Sequence, residues 1–217
     1  MRLHSYCRSS ASYRVRIALG LKSLPYEYVA VNLLQEGGEQ NSAGYRRLNP
    51  NARVPTLEVD GAALTQSLAI IEYLDEAHPA PPLLPVAPIE RARVRALAQL
   101  IAADIQPLQN TSVTGYLAAT HGLKAPEITQ WYRHWIGRGL AALEAMLAVD
   151  DATGRYCHGD APTLADVCLV PQVYAARRFG VEIEACPTVL RIEAACQALP
   201  AFAAAAPERQ PDFPVQR

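Results

Sequence analysis

The sequence predicts a two-part protein, an α/β unit over residues 1–84 followed by an all-α unit over 89–217. Three observations carry that expectation. Up to about residue 85, strand and helix signals alternate in the order β-α-β-α-β-β-α. Pro79, Pro81, Pro82, Pro85 and Pro88 then form a linker that no helix can cross. Beyond them, apolar residues recur only at helical spacing.

Residues 2–6 open as a short strand. A helical run follows, with Val15, Ala18, Leu19 and Leu21 giving an imperfect apolar face, and Pro25 closes it. The Tyr- and Val-rich stretch 26–31 reads as a second strand, and Gly37-Gly38 breaks the chain. A short helix over 43–48 leads to strand 54–59. Asp60-Gly61 makes a tight hairpin turn into strand 62–65, and helix 67–77 places Ile70, Ile71 and Leu74 on one face. Past the linker, Val94, Leu97, Ile101, Ile105 and Leu108 step by three or four, as do Trp131, Trp135, Ile136, Leu140, Leu143 and Leu147. Trp131 and Trp135 are therefore expected in the core, and His121 and His134, with no acid/base partner at fixed spacing, are surface or packing residues. Thr163 with Asp166 forms a capping box that starts another helix. An Ala-rich final turn lies at 203–206, before a frayed end.

Composition narrows the function. The chain has 217 residues, half of them hydrophobic, and a net charge of -1. A nucleic-acid partner would call for a strong basic excess, which is absent. The longest stretch without formal charge, 105–123, carries Gln, Asn, Thr, His and Pro, so it is no membrane span. The five cysteines, an odd number without a CxxC pair, argue against a disulfide framework and against a zinc site. No secretory signal opens the chain, and a cytoplasmic location follows as the expectation.

The run Ser9-Ser10-Ala11-Ser12-Tyr13-Arg14-Val15-Arg16-Ile17-Ala18-Leu19 resembles the signature of zeta-class glutathione transferases. Gln66-Ser67-Leu68-Ala69-Ile70-Ile71-Glu72-Tyr73-Leu74 resembles that family's glutathione-binding segment. The segments 105–110 and 169–172 are similar to further family segments, so the likeness spans nearly the whole chain. It implies a thioredoxin-like N-terminal domain that binds glutathione, an all-helical domain that contributes the substrate pocket, and a homodimer. One departure stands out: Ala11 occupies the place where the family commonly has cysteine. That disfavours any chemistry needing a protein thiol there, such as reductive dehalogenation.

Ser9 and Ser10 sit where a strand ends and a helix begins. First-turn amides and the helix dipole favour an anion there, and the thiolate is the nucleophilic form of sulfur. Alone, this is an ordinary N-cap; within the resembling motif, Ser9 is the main thiolate partner, supported by Ser10. The resemblance makes Val54-Pro55 a cis peptide whose Val54 backbone pairs with the cysteinyl part of glutathione. Gln66 and Ser67 open a helix and would take the γ-glutamyl carboxylate. Gln40 resembles a contact to the glycyl end. Gln106 and Asn110, four apart, fall on one helical face as further contacts. Arg8, directly before the serine pair, would lie near the sulfur as a catalytic and substrate-binding residue, and Arg178 resembles the family's substrate-carboxylate arginine, because a planar guanidinium matches a carboxylate. Arg178 is preferred over Arg177 because the family pattern places arginine directly before Phe179. Arg14 and Arg16 read as structural or at the domain seam.

The implied reaction is glutathione-dependent cis–trans isomerisation of maleylacetoacetate to fumarylacetoacetate, by thiolate addition, bond rotation and elimination, in aromatic amino-acid breakdown. Glutathione is the cofactor and a maleyl keto acid the substrate, with no metal. Alternatives are maleylpyruvate isomerisation and glutathione transfer to α-halo acids. In a different class stands a non-catalytic glutathione-binding module.

Overall fold

Four short strands form one sheet in the computed structural model, which describes residues 1–214. They are β1 (Arg2–Ser5), β2 (Glu27–Ala30), β3 (Thr56–Val59) and β4 (Ala62–Thr65), in spatial order β2-β1-β3-β4. β1 pairs with β2 in parallel, while β1–β3 and β3–β4 are antiparallel. A parallel pair needs a crossover, and α1 (Ser10–Leu21) supplies it. The β3–β4 hairpin turns through Asp60 and Gly61 at φ 50° and 78°, the double positive φ of a two-residue hairpin turn. α2 (Ala43–Leu48) and α3 (Ser67–Ala77) complete the predicted order.

The chain divides by packing into two units: Met1–Pro82 together with Leu199–Arg217, and Leu83–Ala198. Sequence pattern alone puts all of 89–217 in the helical part; instead, the closing segment packs with the α/β unit, and 215–217 lie outside the described residues. The cause is visible in α9 (Pro200–Ala205), which lies on α1. A Cβ at Gly20 would come within 3.2 Å of Ala201 Cβ, so glycine permits the close approach. Phe202 is fully buried, and the Arg16 guanidinium donates from Nε to Ala205 O at 3.0 Å. α1 thus lies between neighbours, which explains its imperfect apolar face: Tyr13, Val15, Ile17, Ala18 and Leu19 are buried, and so are Arg14 and Arg16. Lys22 locks the far ends of α1 and α3, its buried Nζ donating to Asp75 Oδ1 (2.8 Å), His78 O (2.7 Å) and Pro81 O (2.9 Å).

In the second unit, Leu83 and Leu84 of the proline-rich stretch are buried, and Leu83 O accepts from Leu164 N at 2.8 Å. Pro88 starts α4 (Pro88–Gln99) at the first helical position, where its missing N–H costs nothing. The helix continues as a π-helix over Leu100–Ile105 and a 3-10 turn over Gln106–Gln109, followed by α5 (Thr111–His121) and α6 (Ala125–Ala148). α6 buries Ile136, Leu140, Leu143 and Leu147 as the spacing predicts. Trp131 and Trp135 are only half-buried, and Trp131 Nε1 donates to Leu108 O at 2.7 Å, so the indole needs an edge with a polar partner rather than the core. α7 (Leu164–Arg178) opens with the predicted capping box: Asp166 accepts from Thr163 N (2.7 Å), Thr163 Oγ1 (2.8 Å) and Cys157 N (2.8 Å). α8 (Pro187–Gln197) is capped by the Glu144 carboxylate, which takes the amides of Thr188 and Val189. Among the described residues, no helix is long and apolar enough to cross a membrane.

Candidate active site

The register of the sheet gathers the first unit's candidate residues at one end. Ser5 pairs with Ala30 at the ends of β1 and β2. His4 pairs with Thr56, and Thr56 with Thr65. The chain therefore leaves β1, leaves β2, enters β3 and leaves β4 on the same edge. Three connections start or finish there: one carries Arg8–Ser10, the next both Gln40 and Val54–Pro55, and the last Gln66–Ser67.

The β1–α1 crossing is built around Ser9. It is the N-cap of α1, with extended backbone, and its Oγ accepts from Ser12 N at 3.2 Å. As acceptor it keeps its own O–H to donate. Ser10 is the first helical residue, so its amide belongs to the turn that has no intrahelical acceptor. Arg16 fixes this crossing from below: it donates to Cys7 O at 2.9 Å and Ser5 Oγ at 3.2 Å. Cys7 itself is buried. Burial, then the nearby Asp212 charge, pushes its thiol up to about 11, so it stays protonated near neutral pH. The crossing thus offers hydroxyl and amide donors but no protein thiolate. The Arg8 guanidinium lies over the Phe213 ring, 5.0 Å from its centre.

The Val54-Pro55 peptide is cis. Val54 packs on Val31 and Tyr45. α2 holds the approach to it: Tyr45 Oη donates to Arg53 O at 2.8 Å, and Asn49 Nδ2 reaches Arg53 O at 2.7 Å and Thr56 Oγ1 at 3.1 Å. Val54 lies just outside the paired residues of β3.

Gln66 caps α3 at φ 69° and ψ 115°, a conformation that costs a non-glycine residue on the order of 1–3 kcal/mol. Such strain collects at ligand clamps, and periodicity gives no hint of it. Next to it, Ser67 is buried and its Oγ accepts from Arg14 NH1 at 3.2 Å. Arg14, expected to be structural, thus places a buried guanidinium at the N-terminus of α3. A charge inside an otherwise buried helix was the signal available for it. The Gln40 side chain folds against Gly38, and its Oε1 is buried with no hydrogen-bond partner among the described residues.

A family model described as the glutathione S-transferase N-terminal domain matches residues 3–82. The chain is 54% identical over 211 residues to a probable maleylacetoacetate isomerase of Vibrio cholerae, covering 97% of each. It is also similar to the structure of a maleylpyruvate isomerase described as a bacterial zeta-class glutathione S-transferase, with a TM-score of 0.96 and 47% identity, covering 99% of this chain and 100% of that one. The chain belongs to the zeta class of glutathione transferases. A maleylacetoacetate isomerase from Anaeromyxobacter dehalogenans, solved with glutathione in its active site, is 50% identical, with a TM-score of 0.87 and coverage of 98% and 97%.

In this zeta-class transferase the remaining candidates belong to the second unit. Arg177 is committed to Glu193 through two bonds of 2.8 and 3.0 Å. Arg178 is exposed, with its guanidinium 5.3 Å from the centre of the Phe179 ring. Gln106 and Asn110 do not share a helical face. Pro107 sits in a 3-10 turn that ends at Gln109, and Asn110 is the extended N-cap of α5, its Oδ1 accepting from Ser112 N at 2.9 Å. The buried amide pair on this stretch is Gln109 with Gln172, bonded reciprocally at 3.1 and 3.3 Å.

Proposed function

We propose that this chain catalyses glutathione-dependent isomerisation of maleylacetoacetate to fumarylacetoacetate. The single observation that carries the reading is the convergence of three connections at one end of the sheet, with a serine-capped helix N-terminus among them. Its relatives of this length carry the isomerase names given above.

The residues fit the tripeptide. An extended, doubly charged peptide needs an anion site, a backbone partner and a polar end. The strained Gln66 cap with Ser67 and Arg14 supplies the first, Val54 the second, and the amide N–H groups of Gln40 Nε2, as donors to the glycyl carboxylate, the third. When bound, glutathione supplies the sulfur nucleophile that adds reversibly to the conjugated double bond. Ser9 donates its hydroxyl proton in a hydrogen bond to the sulfur position, and Ser10 adds a first-turn amide and hydroxyl. Together they favour the anionic form. Arg8, held beside Ser9, faces the carboxylate and carbonyl end of the substrate and stabilises developing negative charge. The family resemblance, by itself, assigns Arg178 to a substrate carboxylate and Gln106 and Asn110 to further polar contacts. Arg177 is excluded from that role by its pair with Glu193. The protein acts as a cytoplasmic homodimer in this reading, on the strength of the family resemblance.

A second reading, maleylpyruvate as substrate, is favoured by the high similarity to the maleylpyruvate isomerase structure. Purified protein assayed on both keto acids, with and without glutathione, decides between them. Glutathione-dependent conversion without consumption of glutathione supports the isomerase, and the ratio of kcat/KM values selects the substrate. Consumption of glutathione, or its binding without turnover, would replace the reading by a conjugating transferase or a binding module.

A further inference from the structure

The closing segment grips the β1–α1 crossing twice, through consecutive residues. Asp212 Oδ2 accepts from Cys7 N at 2.9 Å, and Asp212 Oδ1 accepts from Tyr28 Oη at 2.6 Å. Because Arg16 takes the carbonyl of Cys7, that residue's N–H and C=O are both held, one by Asp212 and the other by a side chain that also binds Ala205 O. The next residue, Phe213, lies against the Arg8 guanidinium. Both residues are half-buried and belong to the same packing unit as the crossing.

The two grips do different things. A backbone held at Cys7 fixes where Ser9 and Ser10 begin the helix. A ring under Arg8 restrains a long side chain that otherwise samples many rotamers. It does so without using any of the guanidinium's in-plane N–H donors, which a carboxylate partner would have taken. Arg177 shows the alternative: its donors are spent on Glu193. An arginine meant to receive a substrate carboxylate is better held by a ring face than by an ion pair.

We propose that Asp212 and Phe213 are positioning residues for the reaction, Asp212 setting the Cys7–Ser10 backbone and Phe213 presenting Arg8 to the carboxylate end of the substrate. The Phe213 half rests on the assignment of Arg8 to substrate binding. The test uses the full-length protein with Arg8→Met, Phe213→Leu, Phe213→Tyr, the Arg8→Met/Phe213→Leu pair and Asp212→Ala. Steady-state constants are measured for the keto acid and for glutathione separately. Amide exchange over residues 6–10 is measured by mass spectrometry without either.

Phe213→Leu should raise the keto-acid KM about three- to fivefold, the size of a cation–π contact, and leave the glutathione KM within about twofold. Phe213→Tyr, which keeps the ring, should restore it. The double variant should be no worse than Arg8→Met alone. Asp212→Ala should speed exchange over 6–10 by about tenfold or more, while exchange in α6 is unchanged. If Arg8→Met leaves the keto-acid KM unchanged, the Arg8 assignment fails and the Phe213 role with it. If Arg8→Met raises it but Phe213→Leu does not, or the two effects add, Arg8 stands and the role of Phe213 is overturned. Unchanged exchange in Asp212→Ala overturns the role of Asp212.

Discussion

Replacing Ser9 by alanine separates a helix cap from a sulfur-binding group, because α2 offers a matched control. Ser9 and Ser42 are both serine N-caps with extended backbone, and each accepts the amide three residues on at 3.2 Å. The cap itself is worth about 1 kcal/mol in either place. For a chain of this size that is a fall in melting temperature of about 2–4 °C. Ser9→Ala and Ser42→Ala should therefore lose similar stability in thermal or urea unfolding. Turnover should diverge. Removing one preorganised donor to a developing or resident anion costs about a hundredfold or more, roughly 3 kcal/mol. The amides of α1 remain, so glutathione should still bind. The assay is kcat/KM for the keto acid at saturating glutathione, alongside direct measurement of glutathione binding. A Ser9→Ala enzyme within about threefold of the parent would refute the assignment of Ser9. A stability loss several kcal/mol beyond that of Ser42→Ala would show that its role is mainly structural.

Gln66→Gly should relieve the strained φ of 69° and leave stability equal or higher by about 1 kcal/mol, while the glutathione KM rises; a loss of stability would show that the conformation is not strained. Lys22→Met should take the ammonium away from Asp75 and from two carbonyls, costing about 3–5 kcal/mol and lowering the melting temperature by about 10 °C, whereas a shift within about 2 °C would contradict the buried network. Arg178→Ala should raise the keto-acid KM with stability intact, and Arg177→Ala should do the reverse by leaving the buried Glu193 unpaired; steady-state kinetics and urea unfolding on the two variants distinguish them. Burial raises Cys7 to about 11 and pushes Tyr26 and Tyr45 above their ordinary value. Raised folded values mean stability is full below the unfolded values and is lost as pH climbs through the folded ones. The urea midpoint should thus hold to about pH 8 and fall from about pH 9 to about pH 11, and a flat midpoint would refute this.

Much of this was legible in the chain. The strands, the Asp60-Gly61 turn, the Ser67–Ala77 helix and the Thr163–Asp166 box are written in local chemistry, and local chemistry is what sequence patterns report. The serine motif placed the candidate sulfur site at the head of α1. What escaped the pattern depends on partners distant in sequence. The structural partner of Arg14, Ser67, is 53 positions away. Asp212 and Phe213 follow an alanine-rich turn with no periodicity, and their meaning comes from Cys7 and Arg8 at the other end of the chain. A count of 3.6 residues per turn puts Gln106 and Asn110 on one face, but the π and 3-10 turns around Pro107 break that periodicity.

The return of α9 to α1 also affects how the protein is made. The first 82 residues emerge from the ribosome with α1 unfinished on one side: Phe202 and the Ala205 carbonyl that Arg16 needs are not yet synthesised. At about 5–20 residues per second, the helical unit is translated in the interval and can fold before its predecessor is complete. The α/β unit is thus first in sequence and last to be sealed. A stalled or truncated chain ending anywhere before α9 would present the exposed flank of α1, an apolar surface that quality-control proteases and chaperones recognise.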